Sequence, residues 1–248
     1  MFGKHAHSMG KLAFLLALFG LLISSPSVWE ALLGPVFPRL ENLVYSRAPL
    51  WELVVQHANM VAVSSLLATL VGIGLGVFVT RRRGREFLPV VNSLVSMGQT
   101  FPPVAVLAVA VPVVGFGYKP TIIALFLYGL LPIVRNTISG LESLRPEIHE
   151  SAQGMGLTPV QTLFRVEFPL ALHVIMAGIR TSVVINIGTA TIGATIGAGG
   201  LGVPIIAGLN SDNPAFILQG AVLSGLFAIL ADTGMNSAER KALRFAPE

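Results

Sequence analysis

The sequence predicts an all-α integral membrane protein, a polytopic bundle of about six transmembrane helices, and three observations predict it. Of the 248 residues, 53% are hydrophobic and 11% charged, with a mean hydropathy of +0.77, where a soluble domain carries roughly 25% charged residues. Apolar runs able to hold a helix across the hydrocarbon occur at about 12–25, 53–79, 88–114, 120–138, 169–192 and 214–233. The basic residues sit in short runs between these stretches and form no continuous stripe, so the net charge of +4 fits membrane topology better than a nucleic-acid surface.

Taken in order, the first run (Leu12–Ile23) follows Lys4 and Lys11 and resembles a secretory leader. The following Ser24-Ser25-Pro26-Ser27 offers no small-x-small cleavage site, so a retained anchor is expected, with an outer loop after it, over residues 1–50. Residues 51–240 form the main membrane domain. Its first run ends at Arg81, Arg82, Arg83 and Arg85. The next carries Asn92, Ser96, Gln99 and Thr100 near helical spacing and is expected to break at Phe101-Pro102-Pro103. Arg135 closes the fourth run, and Arg145 and Arg165 lie before the fifth. That fifth run holds Asn186, Thr189 and Thr191, together with Arg180 in mid-span, which either faces a water-filled interior, pairs with Asp232 or marks a misplaced boundary. After the sixth come Arg240, Lys241 and Arg244. Placing all these basic flanks inside leaves only Arg39, Arg47 and Lys119 outside and puts both termini in the cytoplasm.

The one long cytoplasmic loop, 139–169, is patterned as two short helices. Pro146 and Glu147 suit a first helical turn, which should stop at Gly154 or Gly156. Thr158, Pro159 and Gln161 spell an N-cap, a first-position proline and the third residue of a capping box. Ile148, Ala152 and Met155 on one helix, and Val160, Leu163 and Phe164 on the other, are expected to leave apolar edges that want a partner.

Chemistry is thinly represented. With no cysteine, the chain has no disulfide, thiolate metal site or thiol nucleophile, and His5, His7, His57, His149 and His173 lack metal-ligand spacing. Neither a Walker A sequence nor a constellation of nucleophile, base and metal ligands is present, so no catalytic residue, cofactor or metal is expected. Gly197-Ala198-Gly199-Gly200-Leu201-Gly202 matches G-x-G-x-x-G, but no alternating strand precedes it. Those glycines, with Pro204, instead suit close helix packing and a short re-entrant segment.

Glu150-Ser151-Ala152, then Gly156, nine further residues, and Val166-Glu167-Phe168-Pro169 resemble the EAA loop of bacterial ABC-importer permeases, E-A-A-x-x-x-G, nine residues, I-x-L-P. The spacing is kept in full; Ser151, Val166 and Phe168 depart from it conservatively. The run Ile187–Gly202, with Gly208-Leu209-Asn210, is similar to the osmoprotectant branch, whose importers take glycine betaine, choline or carnitine. This resemblance implies the type I ABC importer permease fold in a bacterial inner membrane, two ATPase subunits, a second copy or a homologous permease, an extracytoplasmic binding protein, and no nucleic-acid partner. It further implies ATPase coupling through Glu150, Ser151, Ala152, Gly156, Leu157 and Pro169. Independently of it, polar side chains within spans are costly in lipid and should face the bundle interior, which makes Asn92, Gln99, Thr100, Asn186, Thr189 and Thr191 candidates for lining a translocation pathway. Hydrogen bonding between helices is the competing role for each of those six. Phe101, Phe116, Tyr118, Phe126 and Tyr128 are scattered and spell no aromatic cage, which is tolerable if affinity resides in the binding protein. Another small solute such as an amino acid is the alternative cargo; an ion-coupled secondary transporter has only Asp232 to support it.

Overall fold

Long apolar stretches can satisfy their backbone polar groups within lipid only as helices or closed barrels. The structure, a computed structural model, describes residues 2–243, with side chains over 10–97 and 100–239, and every regular element among them is helical. The chain opens with α1 (Phe2–Ser24) and α2 (Pro26–Leu33). Their axes differ by 93°. The bend falls on Ser25, held extended at φ −121 and ψ 94, because a residue before proline avoids the helical region. A 31-residue helix, α3 (Leu50–Thr80), comes next; at 1.5 Å per residue it is about 46 Å long.

The third apolar run comes as two helices, α4 (Leu88–Thr100) and α5 (Pro103–Val114), parted at the extended Phe101 before Pro102. Beyond them are α6 (Tyr118–Glu142), α7 (Pro146–Gly154) and α8 (Pro159–Thr162). A π turn over Leu163–Glu167 leads into α9 (Phe168–Ala190), a 3-10 turn over Thr191–Ile196, α10 (Gly202–Asn210) and α11 (Pro214–Leu243). Pro159–Ile196 thus runs as one 38-residue helical rod from the loop into the membrane. All six apolar runs are helical; among the described residues four helices have crossing length, the bent α1–α2 pair makes a fifth span if taken as one, and the third run is split into two shorter helices.

The bundle packs around α6, whose Leu125, Ile133 and Val134 are fully buried. Small residues let the flanking backbones approach, as membrane helices require in the absence of a hydrophobic drive between them. On α3, Gly72 and Gly76 abut Ile133 and Thr137; on α9, Gly178 abuts Asn136 and the Pro132 carbonyl. A second core joins the N-terminal helices to the C-terminal one: Phe19 stacks on Phe227 at 5.9 Å, in a cluster with Trp29, Leu33, Tyr45 and Leu223.

Candidate functional site

The loop over 139–169 folds as an elbow. Its first arm, α7, ends in a Schellman arrangement, with the Leu157 amide donating to the Ala152 carbonyl at 3.1 Å and the Gly156 amide to the Gln153 carbonyl at 2.9 Å. This closure needs Gly156 at φ +76, a left-handed conformation natural to glycine. The second arm opens with the expected capping box: Gln161 N donates to Thr158 Oγ1 at 3.3 Å, and Thr158 N to Gln161 Oε1 at 2.9 Å. Glu150, Ser151 and Pro169 are exposed, Leu157 is half-buried and Ala152 is fully buried. The apolar edge is narrower than expected, because Ala152 turns inward while Ile148 and Leu163 are half-covered. Met155, Val160 and Phe164 remain 70%, 65% and 65% exposed and form the free ridge.

Beneath the elbow lies a cleft of about 710 Å³ lined by Arg81, Arg82, Arg85, His149 and Gln153. Within it the Glu167 carboxylate, 3% exposed, meets Arg81 Nη2 at 2.5 Å and His149 Nε2 at 3.0 Å. In the sequence Glu167 reads only as a variable position of the motif. Its signal was a lone acid between Val166 and Phe168, to be paired with the arginines that end α3.

The five pathway candidates whose side chains are described stand at separate places in the chain. Asn92 lines a cleft of about 410 Å³ with Arg135 and Glu142, between α4 and α6. Thr100, exposed at the end of α4, donates to the Met97 carbonyl at 2.8 Å. The side chain of Gln99 lies outside the described residues. Asn186 is fully buried and donates to Ser65 Oγ at 3.0 Å, joining α9 to α3. Thr189 and Thr191 stand at the end of α9, where Thr191 donates to the Gly188 carbonyl at 2.7 Å.

Arg180 has carboxylate partners. Its Nη2 lies 2.7 Å from Asp232 and its Nη1 3.5 Å from Glu239, which also meets His173 Nδ1 at 2.6 Å, so α9 and α11 share one network of charges. Arg180 thus takes the expected pairing with Asp232, whereas Gln56 and His57, two adjacent polar residues in an apolar run, were missed. Leu201 N donates to His57 Nδ1 at 3.2 Å, and Gly200 N to Gln56 Oε1 at 3.0 Å. With Nδ1 accepting, Nε2 carries the proton and donates to the Ile187 carbonyl at 3.0 Å. The glycine turn is therefore strapped to α3: Gly197, Gly199 and Gly200 all have positive φ, and the nine-residue α10 after them spans only about 14 Å, too short to cross.

Comparison with known proteins bears on this arrangement. Residues 72–243 match the family described as Binding-protein-dependent transport system inner membrane component. Among curated relatives, the glycine betaine/carnitine/choline transport system permease protein OpuCD of Bacillus subtilis (strain 168) is 46% identical over 187 residues, 75% of this chain and 80% of that one. The choline transport system permease protein OpuBB of the same organism is 42% identical over 186 residues, 75% of this chain and 85% of that one. In fold, a chain of the inward-facing MetNI methionine ABC transporter superposes with a TM-score of 0.70 at 22% identity, covering 79% of this chain and 99% of that one.

Proposed function

The chain belongs to the family of binding-protein-dependent transport system inner membrane components, and from that premise we propose that it translocates a quaternary-amine osmoprotectant of the glycine betaine, choline or carnitine type. The cargo reading is supported by relatives 42% and 46% identical over three quarters of the chain whose names carry those solutes. The permease hydrolyses no ATP itself; two ATPase subunits supply the stroke, a second copy or a homologous permease completes the pathway, and an extracytoplasmic binding protein delivers the solute.

One observation carries the coupling role. The elbow stands ahead of the rod Pro159–Ile196, internally closed by its own caps, yet it leaves Met155, Val160 and Phe164 bare. Such a ridge suits a groove on a soluble subunit, with Glu150 and Ser151 as polar rim contacts, Ala152 and Leu157 as support beneath it, Gly156 as its turn and Pro169 at the entry to α9. Closure of the ATPases would pull this elbow and swing the attached helices between cytoplasm-facing and outward-facing arrangements. The basic flanks favour the elbow and both termini on the cytoplasmic side, with residues 1–50 as an accessory anchor and outer loop and 51–240 as the transporting unit. Asn92, Gln99, Thr100, Asn186, Thr189 and Thr191 are proposed to contribute to the pathway once a second permease closes it.

The test is co-purification with an ATPase subunit and ATP-dependent uptake, measured for Gly156→Asp and Glu150→Lys. Loss of either property supports coupling. Full assembly together with full uptake in both variants sinks it. Binding assays on the partner binding protein decide among glycine betaine, choline, carnitine and an amino acid.

A further inference from the structure

The elbow meets the membrane helices at one buried charge. Glu167 ends the π turn just before α9, Arg81 directly succeeds α3, and His149 belongs to α7, so three segments of the chain converge on a single carboxylate. A carboxylate 3% exposed is tolerated because two nitrogens face it; removing either partner leaves a buried charge undercompensated.

From this joint upward, α3 is tied repeatedly to α9 and to the glycine turn beyond it. Asn186 bonds Ser65 at 3.0 Å, His57 Nε2 holds the Ile187 carbonyl at 3.0 Å, and at the far end Gln56 and His57 hold the amides of Gly200 and Leu201. A rod fixed at its foot to the elbow and at its head to a turn moves both when either moves.

We infer that Glu167 is a positioning residue through which the elbow drives α3 as well as α9: a pull on α7 passes from His149 through Glu167 to Arg81, and along α3 to the turn at Gly199–Leu201. This rests on the coupling role proposed above. The alternative, in which Glu167 only stabilises the fold, predicts loss of protein without selective loss of motion.

Because the chain has no cysteine, a single Trp51→Cys at the far end of α3, where Trp51 is 60% exposed, reports on that end alone. The experiment uses the complete transporter in lipid vesicles. A membrane-impermeant maleimide labels position 51 in the nucleotide-free and the vanadate-trapped states. With Glu167 intact, the labelling rate is expected to change at least threefold between the two. Glu167→Gln is expected to abolish that change while the ATPase still co-purifies, and the reversed pair Arg81→Glu with Glu167→Arg is expected to recover part of it. If Glu167→Gln does not accumulate, Arg81→Gln, whose side chain is 33% exposed, is read by the same criterion. A change retained within twofold in the substituted chain, or no change with Glu167 intact, overturns the inference. The coupling reading is judged separately, by the Gly156→Asp and Glu150→Lys measurements.

Discussion

Three glycines on α3 make a controlled experiment on how tightly this bundle packs. A methyl added at Gly76 would sit 2.6 Å from Thr137 Cβ and Cγ2, and one added at Gly72 would sit 2.8 Å from Ile133 Cγ2, whereas one added at Gly74 meets nothing within 4 Å. Ordinary contact begins at 3.4 Å, so Gly76→Ala must open the α3–α6 seam by about 0.8 Å, since packed interiors hold no slack. Thr137 cannot swing aside: it is fully buried and its hydroxyl donates to the Ile133 carbonyl at 2.7 Å. A radial gap of about 0.5–1 Å forfeits roughly a quarter to a half of each dispersion well along the seam, and overpacking of this kind costs about 1–3 kcal/mol. Gly74→Ala carries only the helix-propensity gain and should be neutral or stabilising by up to about 1 kcal/mol. Titration of the purified permease with SDS, followed by far-UV circular dichroism, should therefore lower the midpoint for Gly76→Ala and leave that for Gly74→Ala unchanged or raised. Coincident midpoints for Gly74→Ala and Gly76→Ala would refute the packing argument, since the two sites differ only in what they face.

The same contacts lead to other expected outcomes. His57→Phe fills the space but strands the Ile187 carbonyl and the Leu201 amide; at about 1–3 kcal/mol for each stranded group, the same titration should show a loss of about 2–6 kcal/mol, and an unchanged midpoint would remove the strap from the account. A double-mutant cycle between Asn186→Ala and Ser65→Ala should give about 0.6 kcal/mol, the usual worth of a hydrogen bond between membrane helices, and a coupling of zero would mean the 3.0 Å contact is not formed. On the elbow, Phe164→Asp and Met155→Asp alter side chains that are 65% and 70% exposed. They should leave the unfolding midpoint within about 0.5 kcal/mol yet reduce recovery of the ATPase subunit more than tenfold; equal recovery would show that the ridge docks nothing.

Local features of the chain were readable in advance because their causes are local. Hydropathy marked the helical runs, Pro102 marked the break after Phe101, and Thr158 with Gln161 marked the start of α8. Meetings of distant residues were readable only where a charge in mid-span demanded a partner: Asp232 stood among three expected settings for Arg180, and it is met at a separation of 52 residues. His57 finds Ile187 at 130, and no periodicity within a single run encodes such a pair. The bend at Ser25 escaped for another reason. A hydropathy window sums composition and takes no account of direction, so an apolar run reads alike whether straight or turned through 93°. Glu167 looked like a filler position because its meaning depends on Arg81, whose own run reads as an orienting charge cluster at the end of a span.

The widened turn over Leu163–Glu167 also gives the fixed spacing between Gly156 and Val166 a mechanical meaning. Each residue in a helix advances the chain by about 100° of rotation, so a π turn clocks everything before it against everything after it. Deleting one residue there would leave both arms intact and every cap formed, yet twist the bare ridge by roughly a quarter of a revolution away from whatever it faces. Length in this stretch behaves as an angle, and a single-residue change would misalign the machine without unfolding any part of it.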